Sequence, residues 1–93
     1  MESQLLEDTP RVLVVDDEKA MRFALRRALE KEHRVLEAES GENGLAEIER
    51  ASPDLVLLDL NMPGIGGMET LNKIQDRKDP PPVLILTAHG SER

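Results

Sequence analysis

Residues 11–17 read RVLVVDD, a short run of β-branched and aliphatic residues closed at once by two aspartates. β-branched residues suit a strand. An unbroken apolar run, rather than an apolar–polar alternation, is the pattern of a strand buried on both faces. The pattern recurs at Asp54–Leu58 (DLVLL), which runs into Asp59, and at Val83–Leu86 (VLIL), which runs into Thr87. Arg34–Ala38 (RVLEA) reads as a shorter, weaker strand.

Between these runs the period changes from two to 3.6. Lys19–Lys31 reads as a helix with Met21, Ala24, Leu25, Ala28 and Leu29 on one stripe and Arg22, Arg26 and Arg27 off it. Ser40–Gly41 opens a second helix whose inner face is Leu45, Ile48 and Ala51, and Ser52–Pro53 ends it. After a Pro/Gly loop, Met62–Gly67, a third helix spans Met68–Arg77 and faces inward through Met68, Leu71 and Ile74. The three consecutive prolines in Asp79–Pro82 cannot continue it. The order β-α-β-α-β-α-β, with buried strands and right-handed crossovers, predicts an α/β domain with a doubly wound parallel sheet. Residues 1–10 read as a loose acidic tail, and residues 11–93 as the domain.

Composition narrows the function. A 93-residue chain makes one small domain. Without cysteine it has no disulfide framework and no thiolate chemistry. A net charge of −7 argues against nucleic acid as a direct partner. No stretch is long and apolar enough to span a bilayer and the N-terminus does not resemble an export signal, so a cytoplasmic location is expected.

The acids are informative by placement. Asp16, Asp17 and Asp59 all follow apolar strands, and ligands of parallel α/β sheets bind outside the carboxyl ends of the strands. If the first and third strands are neighbours, the three carboxylates converge and need a cation or protons. An all-oxygen cluster without His or Cys suits a hard ion, and two or three carboxylates plus waters favour Mg²⁺. Beside such an ion an exposed carboxylate can attack phosphorus. Thr87 has a hydroxyl that can donate to a phosphoryl oxygen, and the backbone carbonyl of Asn61, two residues past Asp59, can complete a metal shell.

The segments VLVVDDE, DLVLLDLNMPG and VLILTAH resemble the first, third and fourth strands of response-regulator receiver domains, in order and at the family's spacing, over roughly Val12 to His89. The resemblance implies a flavodoxin-like sheet in the order 2-1-3-4, with helices on both faces. It implies Asp59 as phospho-acceptor, Asp16, Asp17, Asp59 and the Asn61 carbonyl as Mg²⁺ ligands, and Thr87 as the hydroxyl that moves to the phosphate. It implies a two-component signalling role rather than an enzyme: a histidine kinase or phosphotransfer protein as donor, and an output domain as the switched element. Receivers dock such donors through the first helix, which makes Met21 and Phe23 candidate contacts. MRFALRRAL and LTAHG resemble the receivers of sigma-54-dependent activators.

Two departures stand out. The family's loop usually carries an Asp where this chain has Gly66. The family also places a phosphate-pairing Lys and an aromatic switch residue on a fifth strand, and here no lysine follows Lys78. The expected domain therefore lacks its fifth strand and last helix, and the apolar fourth strand becomes an open edge that favours self-association.

Each feature has a plainer reading beside the functional one. Adjacent acids commonly cap a helix, so Asp17 or Glu18 can be the N-cap of the first helix. Taken singly, Asp59 is a turn residue, Thr87 a strand end and Phe23 an exposed apolar residue. His33 and His89 read as solvated loop residues. A receiver-like interaction module without phosphorylation is one rival function. A Mg²⁺-dependent phosphatase-like hydrolase is another, although such enzymes resemble a pattern of two aspartates one residue apart on the first strand, not adjacent.

Overall fold

A computed structural model describes Leu6 and residues 8–86 of the chain. Among these residues four strands, β1 (Arg11–Val15), β2 (Arg34–Ala38), β3 (Leu55–Asp59) and β4 (Val83–Leu86), alternate with helices α1 (Lys19–Leu29), α2 (Gly41–Ala51) and α3 (Gly66–Gln75). All pairings are parallel and the sheet order is β2-β1-β3-β4. The flavodoxin-like arrangement with order 2-1-3-4 is as expected.

Side chains alternate across the sheet. Leu13, Val15, Val56 and Leu58 point to one face and pack under Ile48 of α2 and Ile74 of α3. Val12, Val14, Val35 and Leu57 point to the other, where Leu25 and Leu29 of α1 lie. Six of these eight strand residues are buried to 2% exposure or less, so both faces contribute a core. Fully burying each such side chain is worth about 1.5–3 kcal/mol.

The helices depart from their predicted faces in two places. On α1, Ala24 and Ala28 are exposed, whereas Arg22 and Arg26 are partly buried beside Met21, Leu25 and Leu29. Nε of each arginine donates to the Glu37 carboxylate on β2, so this helix meets the sheet partly through charge. On α3, Met68 is 56% exposed and does not face inward; Gly67, Thr70 and Ile74 do. Helix α3 starts at Gly66, inside the predicted loop, and stops at Gln75. Helix α1 likewise ends at Leu29 rather than Lys31.

Ends and crossings have local causes. The Ser40 hydroxyl accepts the Asn43 N–H (3.0 Å) and caps α2. Gly67 packs where no side chain fits, since a Cβ there would lie 2.5 Å from the Asp59 carbonyl oxygen and closer still to Leu60 Cα. The first turn of α3 is thereby pressed against the chain leaving β3. No described helix is long and apolar enough to cross a membrane.

Candidate functional site

The register of β1 on β3 pairs Val15 with Leu58, so the next residues, Asp16 and Asp59, leave the sheet side by side at its carboxyl edge. Asp16 is 3% exposed and Asp59 7%, whereas Asp17 is open to solvent. One carboxylate oxygen from each of Asp16, Asp17 and Asp59 lies within 4.8 Å of the others. Like charges about 5 Å apart repel by about 3 kcal/mol at an effective dielectric near 20. Burial raises the Asp16 pKa above the ordinary aspartate value, and the charges of Asp59, Asp17 and Glu18 add to the rise. Three oxygens so disposed, with no nitrogen or sulfur donor among them, fit a hard divalent cation.

Local hydrogen bonds aim these groups. Asp16 Oδ1 accepts the Glu18 N–H (2.9 Å) and Asp59 Oδ1 accepts the Asn61 N–H (2.9 Å). The capping role expected of Asp17 or Glu18 is not made: Glu18 occupies the N-cap position of α1 without a side-chain cap bond, and Asp16 supplies the carboxylate at that turn. The Asp16 main chain is held on both sides. Its N–H donates to the Ala38 carbonyl (3.0 Å), and its own carbonyl accepts from Arg22 Nη1 (2.8 Å).

Asp16, Asp17 and Asp59 are thus brought together. Asn61 sits at the same edge through its N–H. Leu86 of β4 pairs with Asp59, and Thr87 and His89 lie outside the described residues. Phe23 is 59% exposed, with the Arg27 guanidinium 5.8 Å from its ring centroid, and Met21 is partly buried. His33 is partly buried too, with Nδ1 3.1 Å from the Leu29 carbonyl at the end of α1. Gly66 has a φ of +79°, a conformation that suits glycine and strains any side chain.

Sequence reasoning passed over Arg22, Glu37 and Gly67. The available signal was Glu37 itself, a lone acid within a buried β-run, opposite two arginines spaced i, i+4.

The family model for the response regulator receiver domain matches residues 12–93. The chain is 45% identical over 83 residues to the transcriptional regulatory protein ResD of Bacillus subtilis (strain 168), covering 88% of this chain and 34% of that protein. It is 40% identical over 84 residues to the transcriptional regulatory protein AfsQ1 of Streptomyces coelicolor, covering 89% and 37%. The chain therefore spans about a third of the length of these curated relatives. Among solved structures it resembles the response regulator protein TrrA of Thermotoga maritima in complex with Mg(2+)-BeF, with a TM-score of 0.81, 39% identity and coverage of 90% of this chain and 74% of that one. It also resembles the N-terminal domain of a response regulator receiver protein from Methanoculleus marisnigri JR1, with a TM-score of 0.78, 41% identity and coverage of 84% and 66%.

Proposed function

This chain belongs to the response regulator receiver domain family of two-component systems, and from that premise we propose that it accepts a phosphoryl group on Asp59 beside a Mg²⁺ ion. The observation that carries the proposal is the trio Asp16, Asp17 and Asp59, with one oxygen of each within 4.8 Å at the carboxyl edge of the sheet. The Mg²⁺–BeF complex of the Thermotoga relative supports the choice of ion.

The carboxylates of Asp16, Asp17 and Asp59 and the Asn61 carbonyl would hold the ion. Mg²⁺ there would neutralise the cluster and screen the charge of an approaching phosphoryl group. Asp59 Oδ1 is engaged by the Asn61 N–H, which leaves Oδ2 as the attacking atom. With a phosphohistidine donor, an O–P bond forms at Asp59, the N–P bond breaks, and the departing imidazole keeps the electron pair and takes up a proton. The Thr87 hydroxyl then donates to a phosphoryl oxygen and biases the conformation of the domain.

Receiver domains are signalling domains rather than conventional enzymes. In the parent protein the donor is a histidine kinase or phosphotransfer protein that docks over α1, where Phe23 is exposed beside Met21. The greater length of the transcriptional regulators it resembles supports an output domain outside this stretch.

The test is incubation with a small phosphodonor. We expect a hydroxylamine-labile acyl phosphate that requires Mg²⁺ and does not form in Asp59→Asn. Formation at an unchanged rate in that variant would overturn the assignment. Sustained turnover of a simple phosphate ester would point to a hydrolase instead.

A further inference from the structure

Arg22 makes two bonds that join parts of the fold far apart in sequence. Its Nε donates to Glu37 Oε1 on β2 (3.1 Å) and its Nη1 donates to the backbone carbonyl of Asp16 (2.8 Å). Arg26, one turn along α1, shares the same Glu37 carboxylate, but its second bond goes to the Val35 carbonyl (3.0 Å), away from the acids. The two arginines also differ in burial: the Arg22 side chain is 13% exposed and that of Arg26 38%.

Holding α1 to β2 is a task that Arg26 already performs, so the plain stapling role leaves the Asp16 bond unexplained. The Asp16 carbonyl belongs to the peptide unit that leads into Asp17. A donor on that oxygen, with the Asp16 N–H on Ala38 and Oδ1 on the Glu18 N–H, leaves the peptide little freedom to rotate. Asp17 is exposed and, among the described residues, has no such bond of its own, so its direction depends on that peptide.

We propose that Arg22 is a positioning residue for the metal centre: its guanidinium, anchored by Glu37, locks the Asp16–Asp17 peptide so that both carboxylates face Asp59 before a cation arrives. The inference rests on the Mg²⁺ reading of the acid trio. Partners that orient metal ligands without touching the metal typically matter about 10- to 100-fold in affinity.

The test is Mg²⁺ affinity by isothermal titration calorimetry for the wild type, Arg22→Met and Arg26→Met, with urea unfolding of each metal-free protein. Arg22→Met is expected to weaken Mg²⁺ binding by about tenfold or more. Arg26→Met, which also removes a Glu37 partner, is expected to leave it unchanged. Should Arg22→Met fail to fold, Arg22→Lys serves, since one ammonium cannot fill both guanidinium positions and the same weakening is expected. Wild-type affinity in the Arg22 variant, or equal weakening in the Arg22 and Arg26 variants, would overturn this proposal while the acid trio kept its ion. A wild type that binds no Mg²⁺ would overturn both readings together.

Discussion

Glu37 carries two guanidiniums on a carboxylate that lies in a strand, and their hydrogen bonds, Arg26 first and Arg22 next, hold its pKa below the ordinary glutamate value of 4.5. A depressed carboxylate stabilises the fold in full above its unfolded pKa, and that contribution is lost as pH falls through the folded value. Glu37→Gln should therefore lower stability at pH 7 by about 1 kcal/mol. The gap to wild type should close as the pH drops below 4.5 and through the depressed pKa. Urea midpoints from far-ultraviolet dichroism at neutral and acid pH measure this, and a gap that persisted at the acid end would contradict it. Asp16 is the opposite case, with burial and its acidic neighbours pushing the pKa up. At this scale the acids were legible, because an aspartate closing an apolar strand has few plain explanations. The arginines were not. Alanine fits either side of a helical stripe, and an Arg stem can lie on apolar surface while its head finds a carboxylate.

Helix α3 shows what element-level reading can miss. Met68, Leu71 and Ile74 have the right spacing for an inner face, yet the helix begins at Gly66 and is rotated so that Gly67, Thr70 and Ile74 are buried and Met68 is exposed. The cause is close backbone contact: Gly67 sits against the Asp59 carbonyl and Leu60 Cα. A glycine chosen for contact reads in sequence as a loop glycine, so the helix start was hidden. Gly67→Ala should destabilise the protein by about 3 kcal/mol or more, since the atoms in the way are backbone and cannot turn aside. A loss below about 1 kcal/mol in urea unfolding would show that this packing is looser than described. The strands were easier to read, because an unbroken apolar run bounded by an acid or a proline leaves little choice of position, and only β3, Leu55–Asp59, lies one residue later than expected.

At the scale of the whole fold, the sheet is covered unequally among the described residues. Helices α2 and α3 share one face, and α1 lies on the other over β1 and β2. Leu84 pairs in register with Leu57, on the α1 side, and is 57% exposed. Among the described residues β4 is an edge, with no charge or proline within the strand. The order β2-β1-β3-β4 brings the Asp16–Asp17 turn and Asp59 to one edge, and that convergence gives the molecule its proposed chemistry. It is tested most directly by borohydride trapping after reaction with a small phosphodonor, since borohydride reduces an aspartyl phosphate to homoserine at the modified position. Peptide mapping should find homoserine at position 59 only, and only when Mg²⁺ is present. Homoserine at position 16 or 17, or the same yield at 59 in chelator, would contradict a Mg²⁺-assisted acceptor at Asp59.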